Sequence, residues 1–61
     1  MRISEKDVHD IARFLNIPFK DRPILDVLIG CLHRIHEGIV SGEFVGEHSV
    51  TGFYHLVTKG E

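Results

Sequence analysis

Histidine is the chemically versatile side chain that this 61-residue chain holds in excess. The five histidines are His9, His33, His36, His48 and His55. In the segment HRIHE, His33 and His36 stand one helical turn apart, a spacing that can present two imidazoles to one metal ion. The order differs from the HExxH pattern of metalloproteases, which places two ligands four residues apart with a general base between them. A third ligand would have to come from Glu47, His48 or His55, so a histidine-based metal-binding protein is kept only as an alternative, and no cofactor is expected.

Cys31 is the only cysteine of the chain, so neither a disulfide framework nor a cysteine-rich zinc site can form within it. It falls in the apolar run over residues 24–32, where burial raises the pKa of a thiol and makes it behave as a small hydrophobic group. The chain contains no glycine-rich phosphate loop and no readable arrangement of serine, histidine and acid. A chain of 61 residues is also too short to enclose a substrate cleft without a partner subunit. We therefore predict that the protein is not an enzyme.

Charge and hydropathy favour a small folded domain. Seven Lys and Arg stand against nine Asp and Glu, and the formal net charge of −2 provides no positive field for nucleic acid or an anionic membrane. The first residues contain no apolar signal-peptide core, and the longest apolar run is far short of the ~20 residues that cross a bilayer. The hydrophobic fraction of 43% is typical of a globular domain. We expect one cytoplasmic domain over residues 1–61, without a membrane partner.

The segment 4–15 predicts the first helix. Ser4 and Asp7 have the spacing of a capping box, in which each side chain accepts a hydrogen bond from the other residue's backbone. One narrow apolar stripe with helical period is formed by Val8, Ile11, Ala12 and Leu15. Pro18 ends the helix, since the residue before a proline is pushed out of the helical region of backbone conformation.

A second helix is predicted over residues 22–40, with Asp21 as its N-cap and Pro23 in its first turn. Gly42, which can adopt a left-handed conformation, ends it. When the helix is projected at 100° per residue, its apolar side chains cover an arc of roughly 220°. His36 falls inside this arc and His33 on the remaining polar strip. An arc this wide is more than one neighbouring helix can cover.

Residues 43–58 are the ambiguous part of the chain. They are rich in Val, Thr, Phe and Tyr, which favour strands, so we predict a strand over residues 50–58 that pairs with residues 43–45 through a glycine-containing turn. The alternative is a third helix with Ser49 as its N-cap, because helical spacing also fits Val50, Phe53, Tyr54 and Val57. The predicted fold is therefore α+β and mainly helical: a two-helix hairpin followed by a short C-terminal β segment. A three-helix bundle is the alternative.

The wide apolar arc of the second helix predicts self-association. A chain of this size without disulfides has a small core, and a two-fold homodimer is the commonest form of association that adds stability. The predicted interaction surface comprises Leu25, Leu28, Leu32, Ile35 and Ile39. The C-terminal segment is the other candidate cover for this arc.

These features together predict a small non-enzymatic protein-interaction or regulatory module that binds and modulates a larger protein, of the kind found among bacterial regulators and phage-encoded inhibitors. The identity of that protein stays open. The alternative is a DNA-binding regulator with a divergent helix-turn-helix, in which Arg13, Lys20 and Arg22 contact phosphate. The connection over residues 16–21 is longer than the usual turn of this motif, and the second helix is too apolar to enter a major groove. We therefore expect no nucleic-acid partner.

Overall fold

Three α-helices account for the regular structure in a computed structural model that describes residues 3–59. They are α1 (Glu5–Phe14), α2 (Ile24–Ser41) and α3 (His48–Thr58), and α2 packs against both of the others. Residues 3–59 contain no strand, so the predicted α+β fold with a C-terminal β segment is wrong. The three-helix bundle, given above only as the alternative, fits the structure. The single domain expected over residues 1–61 includes residues 1, 2, 60 and 61, which lie outside the described range.

The ends of α1 are closed by local hydrogen bonds. The Asp7 backbone N–H donates to the Ser4 hydroxyl over 3.2 Å, and the Ser4 N–H donates to the Asp7 carboxylate over 3.3 Å, which confirms the predicted capping box. At the other end Asn16 has a φ of 60°, and the Ile17 N–H donates to the Ala12 carbonyl over 2.8 Å. This is a Schellman ending with asparagine in the left-handed position.

The start of α2 differs from the prediction, whereas its end agrees. Asp21 is not the N-cap, because it lies in the preceding turn with a φ of 60°, and the cap residue is Pro23. Gly42 has a φ of 82°, as predicted for a left-handed stop, and the Glu43 N–H donates to the Gly38 carbonyl over 2.8 Å. The helix is thus 18 residues long.

Helical packing decides the conformation of the C-terminal segment. Val50 and Phe53 are buried, and Tyr54 and Val57 are half-buried against the core, so one face of α3 covers α2. A helix of these residues buries that whole face, and this tertiary gain outweighs their β propensity. Ser49 lies within the helix, and the cap residue is Glu47, which makes no side-chain cap bond. Both the strand and the Ser49 cap are therefore wrong.

One core joins the three helices and the α2–α3 connection. Its buried residues are Val8, Ala12, Val27, Leu28, Cys31, Ile35, Phe44, Val50 and Phe53. Phe44, from the connection, lies directly on Gly38 of α2, where a Cβ atom would overlap its ring. Among residues 3–59 none of the helices combines the length and apolar character that a bilayer crossing requires.

Candidate functional site

An apolar stripe on the outer side of α2 is the most prominent exposed feature of the fold. Its residues are Leu25, Ile29, Leu32, His36 and Ile39, which we name the α2 seam. Leu25 is 61% exposed and Ile29 is 57% exposed, although both are large aliphatic residues. The spacing alternates between four and three residues, which is the heptad pattern that two packed helices share. At 1.5 Å per residue the α2 seam is about 21 Å long.

The structure divides the five predicted interaction residues into two groups. Leu28 and Ile35 are buried in the chain's own core, which joins the three helices and the α2–α3 connection. Leu25 and Ile39 are exposed, and Leu32 is half-buried at the border of the core. Only these three are available to another molecule.

Two exposed residues of α2 were not among the interaction residues predicted from the sequence. They are Ile29, which belongs to the seam, and Val40, which follows Ile39 and is 75% exposed. The alternating spacing of four and three residues contained the signal for Ile29. The sequence alone does not show which part of the apolar arc α1 and α3 cover, so it could not separate exposed residues such as Ile29 from buried ones.

His36 is the only polar member of the α2 seam. It falls within the apolar arc as projected, but it is exposed and so is not a core residue. Its Nδ1 atom is 3.1 Å from the Tyr54 hydroxyl, and the tautomer determines which of the two donates the hydrogen bond. His36 therefore fastens the edge of α3 to the α2 seam while one side of its ring remains accessible.

Polar residues flank the α2 seam but do not enter it. Asp26 and His33 each follow a leucine of the seam and lie on the same exposed flank, seven residues apart. The opposite flank contains Leu28 and Ile35, which face the core. The α2 seam is thus bordered by polar groups on one side and by the chain's own core on the other.

A nearby ion pair ties α2 to the connection that follows it. The Arg34 guanidinium donates to the Glu43 carboxylate over 2.6 Å and lies 5.4 Å from the centre of the Phe44 ring. The hydrogen bond from Arg34 lowers the pKa of Glu43 below its usual value of 4.5. This contact helps to hold Phe44 on Gly38, behind the α2 seam.

The reactive side chains are not brought together in the described part of the chain. Among residues 3–59 no group of three His, Cys, Asp or Glu is placed to share a metal ion. Glu47, His48 and His55, the predicted sources of a third ligand, therefore do not complete a metal-binding group with His33 and His36. Cys31 is fully buried, and desolvation raises the pKa of its thiol.

Two shallow grooves offer less than the α2 seam. One lies between α1 and α3, has a volume of about 280 Å³ and is lined by Ile11, Gly52 and Phe53 among others. The other, of about 310 Å³, lies beside the Arg34–Glu43 pair. Both volumes are at or below the lower end of the roughly 300–1,000 Å³ typical of small-molecule sites. The extended apolar stripe is the better candidate for a functional surface.

Of the basic residues considered above for phosphate contact, Arg13 is paired with a carboxylate of its own helix. The Arg13 guanidinium donates to the Asp10 carboxylate over 3.1 Å and lies 5.5 Å from the centre of the Phe19 ring. Lys6 donates to the same carboxylate over 2.9 Å. The single Asp10 carboxylate is therefore shared by Arg13 and Lys6 and offsets part of their positive charge on the surface of α1.

Comparisons of the chain with protein-family models, with curated proteins and with solved structures return no match. Function is therefore inferred from the geometry of the chain itself.

Proposed function

We propose that the protein is a small non-enzymatic interaction module whose association surface is the α2 seam. The observation that supports this is a row of large aliphatic side chains, spaced for helix packing and left exposed along α2. Contiguous exposed apolar surface rimmed by polar groups is characteristic of sites where another protein binds. A helix laid along such a row is one of the recurring modes of protein recognition.

The proposed biological role is the binding of a larger protein whose activity the module modulates. The small size of the domain and its shallow grooves are consistent with this role. The proposal includes a cytoplasmic location and a bacterial or phage origin, and the free Cys31 thiol is compatible with a reducing compartment.

The affinity expected of the α2 seam is modest. Complete burial of a leucine or isoleucine side chain contributes about 1.5–3 kcal/mol, and the aliphatic residues of the seam are already partly covered. Association in addition costs about 4–15 kcal/mol in lost freedom of motion. Weak and reversible binding is therefore expected for a partner that covers the seam alone.

A capture experiment with matched variants tests this function. The tagged wild-type chain, Ile29→Lys and Val45→Lys serve as baits in extracts of the native host. Ile29 lies in the α2 seam, whereas Val45 is 84% exposed and lies in the connection after α2. Lysine favours helix as well as isoleucine does, so Ile29→Lys adds a charge to the seam without weakening α2.

We expect a protein that is retained by the wild type and by Val45→Lys and is lost with Ile29→Lys. Circular dichroism of all three baits verifies that the helices are intact. The same proteins on all three baits, or none on the wild type, would contradict the proposed function.

A further inference from the structure

We propose that the α2 seam is occupied by a second copy of the chain, paired antiparallel so that Ile29 packs against the partner's Leu32. This inference rests on the proposed function, because it takes the α2 seam as the association surface. One seam holds one helix at a time, so a larger protein would have to displace the second copy. The choice of occupant follows from the residue pattern of the seam and from the hydrogen-bonding groups on its flank.

The seam is self-complementary when two copies run in opposite directions. Antiparallel helices place each first core position of a heptad opposite the second core position of the other helix. Here Ile29 and His36 alternate with Leu25 and Leu32, so two distinct layers form and each occurs twice by symmetry. In one layer Ile29 meets the partner's Leu32, and in the other His36 meets the partner's Leu25. Parallel pairing would instead stack His36 against the partner's His36.

The polar groups on the flank favour the same arrangement, because the His33 imidazole can donate a hydrogen bond to the carboxylate of the partner's Asp26. In an antiparallel pair the flank containing Asp26 and His33 meets the equivalent flank of the second copy. The register above offsets Asp26 from the partner's His33 by two residues, or about 3 Å along the helix axis. The complementary contact forms twice, once on each side of the two-fold axis. A shift by one heptad would bring His33 against the partner's His33, and parallel pairing would turn Asp26 towards the core-facing flank.

The size of the surface determines the strength of the dimer. A seam about 21 Å long on a single helix covers less than the roughly 800 Å² that each partner contributes to a standard interface. A second copy of the chain therefore binds weakly and reversibly. The measurement has to span total concentrations from about 1 µM to about 1 mM.

A charge-swap cycle tests the pairing by sedimentation equilibrium at low salt. His33→Glu places a carboxylate opposite the partner's Asp26, and we expect dimerisation to weaken by about tenfold, since two contacts become repulsive. Adding Asp26→Lys to this variant gives the two positions opposite charges, and the double variant should dimerise at least as well as the wild type. Within one chain the two positions are about 10 Å apart along the helix, so recovery reports contact between chains. Val45→Lys, an exposed change in the connection after α2, is the matched control and should leave dimerisation unchanged.

Each result has a distinct meaning. A wild-type chain that stays monomeric up to about 1 mM overturns the inference. Additive effects of Asp26→Lys and His33→Glu, without recovery in the double variant, overturn the antiparallel register. If the wild type is monomeric and Ile29→Lys still loses a captured protein, the proposed function stands and only the second copy is rejected. If Ile29→Lys dimerises like the wild type, the α2 seam is not the dimer surface and the second copy is rejected, whereas the proposed function is judged by the capture experiment alone.

Discussion

Gly38 is the residue on which the packing of the α2–α3 connection depends. A Cβ atom there would overlap the Phe44 ring, so Gly38→Ala must displace a buried aromatic side chain. We expect the free energy of unfolding to fall by roughly 1–3 kcal/mol, even though alanine is the better helix former. Urea denaturation measures the change. In a Phe44→Ala background the same substitution should lose its cost, and a persistent cost there would contradict the overlap.

Gly52 provides the matched control for this prediction. It lies within α3, and a Cβ atom added there would have no neighbouring atom within 4 Å, so Gly52→Ala meets no obstacle. Removing glycine from a helix interior should raise the free energy of unfolding by about 0.5–1 kcal/mol. Opposite signs for the two glycine substitutions would separate close packing from helix propensity.

The Glu43 carboxylate should give stability a measurable pH dependence. Its pKa is lowered in the folded chain by the hydrogen bond from Arg34, so the stabilisation is complete above the usual value of 4.5 and is lost as the pH falls through the folded pKa. The melting temperature of Glu43→Gln should therefore lie below that of the wild type at neutral pH and converge with it in acid. Both side chains are partly exposed, so the difference is small. Glu47→Gln, in the same connection, is the control: its melting temperature should fall in acid as that of the wild type does.

Local features at the residue scale could be predicted from the sequence, and features that depend on distant segments could not. The Ser4–Asp7 capping box and the left-handed Gly42 depend on neighbouring residues alone, and both predictions are confirmed. The exposure of His36 and the Arg34–Glu43 contact depend on where α3 and its connection lie. A helical projection contains no information about either.

The capping box is the local interaction at the start of α1, the shortest of the helices. Ser4→Ala removes the acceptor for the Asp7 N–H and should cost about 1 kcal/mol, within the usual range of roughly 0.5–2 kcal/mol. Chemical denaturation followed by circular dichroism measures this loss. Ser49→Ala is the control, because Ser49 lies inside α3 and caps no helix. If Ser4→Ala and Ser49→Ala lower the free energy of unfolding equally, the capping hydrogen bond does not stabilise α1.

The helix α3 shows why its segment was predicted incorrectly. Val50, Phe53 and Val57 individually favour strands, and summed propensity outweighed an incomplete helical period. The structure places Val50 and Phe53 in the core at helical spacing, where burial against α2 contributes more than propensity differences of a few tenths of a kcal/mol per residue. The apolar arc of α2 required a second cover, and a helix can supply it as one continuous face.

In the whole molecule one part of the α2 apolar arc lies in the core and the other part forms the exposed seam. Leucine substitutions in each part should therefore differ in their effect on stability. Leu28→Ala removes a buried side chain and should lower the free energy of unfolding by about 2–5 kcal/mol. Leu25→Ala removes an exposed one and should change the stability of the monomer by no more than about 0.5 kcal/mol. Denaturation at low protein concentration compares the two variants.

The same pair distinguishes core from association surface within the predicted interaction residues. Leu25→Ala should weaken self-association although it leaves the monomer intact. A large loss of monomer stability with Leu25→Ala would place that residue in the core and remove it from the α2 seam. The wide arc was correctly recognised from the sequence, whereas its division between core and seam required the positions of α1 and α3.

The contact between Gly38 and Phe44 has a consequence for the divergence of related sequences. The Phe44 ring fills the space that a side chain at position 38 would need. A larger residue at position 38 is therefore compatible with the fold only if position 44 becomes smaller in the same lineage. Gly42, with its φ of 82°, lies between them and turns the chain back towards α2. A pattern of glycine, three residues, glycine, one residue and an aromatic therefore describes a spacing that distant relatives with this connection should retain. Homologues that vary these positions independently would indicate a different route from the second helix to the third.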